Sequence, residues 1–395
     1  MKRPAIEGGK PIRPKDRFLV FGAPSFEEPE IAEVVECLRR GWPGTGPRVS
    51  EFEEAFRKFK GSRFAVALNS CTAGLHLSML AAGIGPGDEV ITTPMTFCST
   101  VNAIIHSGAT PVLADCDRST LNILPEEIEK HITARTKAIL PVHFAGRCCP
   151  MDDIMRIARQ YDLLVIEDCA HAIESEIRGR KAGTFGHAGC FSFYVTKNVS
   201  TGEGGMVITD DERLAGRIQV LGLHGMSKDA WKRFSDEGYK HYQVIHAGFK
   251  YNMMDMQASL GIHQLNRVQA NHERRGAIWR QYNNAFAQLP CFLPPDPEPG
   301  TKHAYHLYTL MVDIDRLGKS RDWFLDALTA EGIGVGVHYV PVHLHPYYRK
   351  TYGWKKGDFP NAEWIGERTI SLPLSGALTA KDAQDVIAAF QGVLQ

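Results

Sequence analysis

No apolar run in this chain is long enough to span a bilayer, so no membrane-embedded role is expected. Excess charge is missing too. Lys+Arg and Asp+Glu stand at 45 each, which leaves no bulk attraction to nucleic acid or a lipid surface. The opening stretch Met1-Lys-Arg-Pro-Ala-Ile-Glu-Gly-Gly-Lys10 is basic but has no apolar core, so a secretory leader is not expected and a cytoplasmic location is. Nine cysteines, an odd number spread over a long chain, do not read as a disulfide framework; reduced thiols are expected. His338, His343 and His345 cluster, and Cys148 adjoins Cys149, but neither group has zinc-ligand spacing, so no metal is expected. Internal repeats and low-complexity tracts are also absent.

What remains is an ordinary globular composition, 44% apolar and 23% charged over 395 residues, enough for a large core in two domains. From about residue 50 to 210, helix-period and strand-like segments alternate. Phe52 to Phe59, Ser70 to Ala82, Val101 to His106, Leu124 to Ile132 and Asp152 to Tyr161 read as helices. Phe64–Leu68, Glu89–Thr93, Pro111–Ala114, Lys137–Val142, Leu163–Glu167 and Gly204–Asp210 read as strands. This alternation predicts an α/β fold with a mixed, mostly parallel central sheet covered by helices. A polar stretch, Met226 to Tyr242, reads as a surface excursion, and Met253 to Phe286 as a long helical region. The Pro-rich run Pro290 to Pro299 marks a boundary. Beyond it, His306 to Asp313, Arg321 to Glu331, Gly334 to Val340 and Ala380 to Leu394 predict a smaller C-terminal α+β domain. The expected division is an N-terminal arm over 1–26, a large domain over 27–286 and a small one over 287–395.

Three segments carry chemistry. Asn69-Ser-Cys-Thr-Ala-Gly74 joins a strand to a helix; its small residues and the helix dipole suit a phosphate, although an ordinary capped helix looks the same. It matches neither the Gly-x-x-x-x-Gly-Lys nor the Gly-x-Gly-x-x-Gly nucleotide motif. Asp168 ends the apolar run Leu163-Leu-Val-Ile-Glu-Asp168, at the strand end where parallel sheets place ligands; a helix N-cap is the alternative. Lys197 lies in the aromatic run Phe191-Ser-Phe-Tyr194 and its continuation, whose apolar surroundings lower an amine's pKa. A lysine that forms a Schiff base and a buried carboxylate that keeps a pyridine nitrogen protonated are the two side chains pyridoxal 5′-phosphate (PLP) chemistry most needs.

Further segments extend the pattern: Gly46-Pro-Arg-Val-Ser-Glu-Phe-Glu, Gly87-Asp-Glu-Val-Ile-Thr, Pro141-Val-His-Phe-Ala-Gly146, Val165-Ile-Glu-Asp-Cys-Ala-His171, Gly202-Glu-Gly-Gly205, Gly248-Phe-Lys-Tyr-Asn-Met-Met-Asp255 and Ser371-Leu-Pro-Leu374. With Ser70-Cys-Thr-Ala-Gly-Leu and Phe191-Ser-Phe-Tyr-Val-Thr-Lys-Asn198, this series resembles the DegT/StrS family of PLP-dependent nucleotide-sugar aminotransferases over nearly the whole chain. The resemblance implies the aspartate aminotransferase fold (PLP fold type I). It implies that Lys197 is the catalytic Schiff-base lysine and proton carrier, that Asp168 pairs with the pyridine nitrogen, and that His171 lies near the phenolate oxygen. Phe97 would cover the ring. Cys71 and Thr72 would bind phosphate through backbone N–H groups, with Ser192 adding its hydroxyl; Cys71 stands where glycine is common. Asn252 would reach the neighbouring subunit's phosphate, implying a homodimer with shared active sites. His338 would contact substrate, with His303 and His306 as weaker candidates.

The same resemblance implies L-glutamate as donor and a nucleotide-linked keto sugar as acceptor. Trp42-Pro-Gly-Thr-Gly46 and Tyr239 to Tyr251 look closest to enzymes aminating carbon 4 of UDP-linked sugars, such as the UDP-4-keto-pentose (UDP-4-amino-4-deoxy-L-arabinose) aminotransferases of lipopolysaccharide modification. Lys197 argues against a sugar 3-dehydratase, which carries histidine there. Lys197 and Asp168 together argue against a non-catalytic regulatory relative. A cysteine desulfurase would need a histidine where Phe97 is placed. An amino-acid aminotransferase would need an arginine clamp, for which Arg349 and Arg368 stay open.

Overall fold

The computed structural model describes residues 3–227 and 242–394; most of the polar stretch expected at Met226 to Tyr242 lies outside them. Seven strands form the central sheet: β1 (Phe64–Leu68), β2 (Glu89–Thr92), β3 (Thr110–Leu113), β4 (Thr136–Ile139), β5 (Leu164–Asp168), β6 (Ala188–Ser192) and β7 (Gly205–Thr209). Their order is β1-β7-β6-β5-β4-β2-β3. Only β7 runs against the rest, pairing antiparallel with β1 and β6, while β6-β5, β5-β4, β4-β2 and β2-β3 are parallel. The mixed, mostly parallel sheet expected from the alternation is therefore present.

Both faces of the sheet are covered, and strand periodicity shows how. Val66, Cys190 and Val207 point into one apolar cluster with Leu214, Ala215 and Ile218, while Ala67, Phe191, Met206 and Ile208 point into another with Val49, Phe52 and Phe56. The first cluster is roofed by helix α3 (Cys71–Ala81), whose residues are buried almost all round, and by the helix Glu212–Gly222. The second is roofed by the helix Pro47–Lys60, which starts on a proline and ends at Gly61 with φ 77. Its Val49, Phe52 and Phe56 recur at helical spacing; fully burying each phenylalanine contributes roughly 1.5–3 kcal/mol.

The long helical region splits into Asp255–Asn266 and Val268–Phe286. The second helix joins two cores: Val268 packs with the central sheet, and Ile278, Trp279, Tyr282 and Phe286 pack with the C-terminal segments. There a small antiparallel sheet of Cys291–Phe292, Tyr308–Val312 and Thr369–Leu372 lies against the helices Arg321–Ala330 and Ala380–Leu394. Gly334 to Val340 is not a regular strand; it is held by a mutual backbone hydrogen-bond pair between Gly336 and Ser371. The N-terminal arm ties onto the same region: Ala5 and Ile12 N–H groups donate to the Glu331 carboxylate, and Arg13 pairs with Asp382. No described helix is long and apolar enough to cross a membrane.

Candidate active site

Strand direction gathers most of the predicted residues, while Asn252 and His338 come in from segments outside the central sheet. Because β7 is antiparallel to both β1 and β6, the carboxyl ends of β1, β2, β5 and β6 and the start of β7 share one sheet edge. Across that edge Leu68 and Ser192 both register with Gly205.

At the end of β1 the Ser70 hydroxyl caps α3, accepting from Ala73 N at 3.1 Å. The next two N–H groups, of Cys71 and Thr72, have no protein acceptor among the described residues. They sit at the positive end of a long buried helix. Gly205 makes the close approach possible: a Cβ there would lie 2.3 Å from the Ser70 carbonyl carbon. Ser192 is buried beside it, its hydroxyl accepting from Tyr194 N at 3.3 Å. Asn252 bridges to Leu68 and donates to Thr45 Oγ1 at 2.5 Å, within its own chain.

Asp168, at the end of β5, is 3% exposed. Its carboxylate accepts from Thr100 Oγ1 at 2.9 Å and Ala170 N at 3.1 Å, and no cation pairs with it among the described residues. Burial pushes its pKa up, against the pull of the Ala170 N–H, the Thr100 hydroxyl and the Lys197 charge. The chain after Asp168 makes a single turn and no helix, so the N-cap alternative reduces to the local Ala170 contact.

Lys197 follows β6 in a turn closed by its own N–H to Tyr194 O at 2.8 Å. Its half-buried amine lies 3.5 Å from His306 Nε2. Desolvation lowers its pKa from 10.5 to about 8, although Asp168 works to raise it. A fraction of the amine is thus neutral near physiological pH, the state that attacks a carbonyl.

His171 Nδ1 accepts from Ala145 N at 3.2 Å, so its Nε2 carries the proton and faces Tyr339 Oη at 3.2 Å. Burial, then Lys197, keeps it neutral, with a pKa well below the usual value. Tyr339 packs 6.1 Å from the Phe97 ring, which is 57% exposed at the N-terminus of the helix Cys98–His106. His338, next in chain, binds Ser371 Oγ at 2.8 Å; burial and Lys197 lower its pKa to about 3. Of the weaker candidates, His306 reaches Lys197, whereas His303 accepts from Tyr305 N and packs against Trp279.

Sequence reasoning missed Thr100, Tyr339, Asn198, Glu174 and Arg275. Asn198 closes the quoted Lys197 segment but was given no role, and no local pattern marked Thr100, Glu174 or Arg275. Sequence reasoning also did not flag His143, Glu167 and Cys169, whose ligand-type atoms lie within 4.8 Å of one another. His143 and Glu167 are committed to a hydrogen-bond network: Glu167 accepts from His143 Nε2 and from the N–H groups of Gly183, Phe185 and Gly186, while His143 Nδ1 accepts from Cys149 N. His343 likewise binds Glu363. A cavity of about 380 Å³ lined by Asn122, Arg147 and Glu298 touches neither Lys197 nor Asp168. Arg368 is committed to Asp315 and Trp364, and Arg349 is exposed on the helix Pro346–Tyr352, so neither supplies the open clamp.

The donor set fits PLP. Two unpartnered N–H groups at a helix N-terminus suit a phosphate, an unpaired buried carboxylate suits a protonated ring nitrogen, and a partly neutral amine suits the aldehyde carbon.

The profile described as the DegT/DnrJ/EryC1/StrS aminotransferase family matches residues 24–391. The chain is 49% identical over 385 residues to the spore coat polysaccharide biosynthesis protein SpsC of Bacillus subtilis, covering 97% of this chain and 99% of that one. Among solved structures, Spr1654 of Streptococcus pneumoniae, designated a sugar aminotransferase and solved in its PLP form, superposes with a TM-score of 0.88 at 32% identity, over 95% of this chain and 98% of the other. PseC of Helicobacter pylori, an aminotransferase of pseudoaminic acid biosynthesis, gives a TM-score of 0.88 at 28% identity, over 95% and 99%.

Proposed function

This chain belongs to the DegT/DnrJ/EryC1/StrS aminotransferase family, and from that premise we propose that it moves an amino group from L-glutamate to a nucleotide-linked keto sugar, with PLP as cofactor. The reading narrows to a UDP-linked 4-keto sugar and a polysaccharide product made in the cytoplasm. The observation that carries it is the Lys197 amine, its pKa lowered to about 8, at the sheet edge that also bears Asp168 and the N-terminus of α3.

PLP, when bound, supplies a carbonyl for amines and a ring that draws electrons from the carbon bearing them. The remaining work falls to side chains. The N–H groups of Cys71 and Thr72, with Ser192, hold the phosphate. Asp168 keeps a proton at the ring nitrogen: low-dielectric surroundings strengthen its attraction to a cationic partner. His171, whose Nε2 carries the proton, would donate to the phenolate oxygen. Lys197 Nζ would anchor the cofactor and carry a proton between the cofactor carbon and the sugar carbon. Asn252 acts on the neighbouring subunit's phosphate in a homodimer. Phe97 and Tyr339 would border the cofactor ring, and His338 would contact the sugar.

A panel of UDP- and dTDP-linked 3-keto and 4-keto sugars, assayed with glutamate, tests the reading. Amination of a UDP-linked 4-keto sugar is expected. Turnover of free amino-acid keto acids with no sugar nucleotide accepted would move the chain to another reaction. Lys197→Ala should abolish transamination while sparing the fold, read by product formation beside a circular dichroism melt.

A further inference from the structure

The environment of Lys197 can be solved from its far end. Glu174 and Arg275 form a buried ion pair, with side chains 1% and 2% exposed. The second Glu174 oxygen accepts from Asn198 Nδ2 at 2.8 Å, and Ala304 O accepts from the same nitrogen at 3.1 Å. A carboxylate and a carbonyl only accept, so the Asn198 amide nitrogen must face them. A flipped amide would set its oxygen against both. Asn198 Oδ1 is thereby turned to His306 Nδ1, 3.0 Å away. That oxygen also only accepts, so His306 Nδ1 carries the ring proton. A neutral imidazole has one such proton, which leaves Nε2 as a bare lone pair 3.5 Å from Lys197 Nζ.

The groups facing His306 oppose a second ring proton. Burial comes first, followed by Lys197, His338, Arg275 and His303, which together hold its pKa well below the usual value. Glu174 reaches it only through Asn198. His171 lies against it with ring centroids 4.5 Å apart and the opposite tautomer, because the Ala145 N–H occupies its Nδ1. Two neighbouring imidazoles are thus pinned in complementary protonation states by backbone and side-chain partners that cannot reverse roles.

We propose that His306 is a positioning residue for the Lys197 amine, locked by the Asn198–Glu174–Arg275 relay as the Nδ1–H tautomer so that Nε2 accepts a hydrogen bond from Nζ. The inference rests on Lys197 being the reactive amine. Its consequence is directional. With one N–H given to His306, the Nζ lone pair points elsewhere, and loss of the ammonium proton leaves no new cation beside it. The acceptor also favours the ammonium form, so its removal lowers the Lys197 titration midpoint. The reverse tautomer would present N–H to Lys197, and its removal would raise that midpoint.

The test is peptide mass spectrometry of Lys197 acetylation in cofactor-free protein between about pH 6 and pH 10, comparing wild type with His306→Leu and His306→Gln. His306→Leu keeps the site dry without an acceptor, and its labelling below the midpoint is expected to rise about tenfold, one hydrogen bond to a charged group. His306→Gln puts an amide oxygen near the Nε2 position and should return labelling to within about twofold of wild type. An unchanged or raised midpoint in His306→Leu overturns the proposal, as does a His306→Gln protein that behaves like the leucine variant. Should the leucine variant not fold, long-range ¹H–¹⁵N spectra of the wild type read the tautomer directly; an Nε2–H signal for His306 overturns the proposal. Borohydride reduction of PLP-loaded protein is a separate arm. A tag on another lysine would refute the role assigned to Lys197, while the acetylation midpoint would still report on His306.

Discussion

Replacing Lys197 by methionine should stabilise the cofactor-free protein, and the gain should depend on pH. The folded chain lowers the amine's pKa from 10.5 to about 8, so holding the charged form there costs folding free energy. At about 1.4 kcal/mol for each tenfold loss of proton affinity, the upper figure is about 3 kcal/mol. Two effects reduce it. The side chain is only partly enclosed, and losing the cation removes a charge that favours the Asp168 carboxylate. A net gain of about 1–3 kcal/mol is therefore expected.

The sign follows from proton binding. Below the folded value both states hold the proton and the wild type bears the whole cost. Between about 8 and 10.5 the folded state has shed it while the unfolded chain keeps it, so wild-type stability rises with pH. Above that window the cost is gone. Lys60, also lowered to about 8, titrates in both proteins and cancels in the difference. Urea unfolding of the two cofactor-free proteins at neutral pH and at about pH 10 measures this. A methionine variant no more stable at neutral pH, or one whose advantage persists at high pH, would refute the claim that the site stores a destabilised amine.

Asp168→Asn should leave stability at neutral pH unchanged or slightly higher, because burial opposes the carboxylate's charge, while turnover falls at least about 100-fold; parallel melts and product assays separate the two. Arg275→Met leaves Glu174 buried and unpaired and should cost about 3–5 kcal/mol in urea unfolding, most of it recovered when Glu174→Gln is added. Gly205→Ala forces the N-terminus of α3 away from β7, and should cost about 1–3 kcal/mol and weaken PLP binding, read by equilibrium dialysis.

The parts of the fold and site that were legible are those with local causes. α3 could be read because Ser70 caps it and apolar residues fill it, and the end of β5 because a carboxylate closes an apolar run. Lys197 stood out by its aromatic neighbours and its order in the chain. The pairings within the site did not. Thr100 meets Asp168 across 68 residues, His306 meets Lys197 across 109, and Tyr339 meets His171 across 168. Gly334 to Val340 reads as a regular element by its apolar residues, yet isolated backbone contacts to Leu19 and Ser371, both distant in sequence, hold it in place of a continuous ladder.

Local sequence specifies which segments become strands and helices, and which strand ends carry an amine, a carboxylate and free N–H groups; periodicity, caps and glycines act within a few residues. The protonation of those groups is a property of the folded chain alone. Desolvation brings the Lys197 pKa down to about 8, and the Asn198–Glu174–Arg275 chain selects the His306 tautomer. Both depend on which distant segments exclude water and which acceptors they bring, and no stretch of sequence encodes that locally.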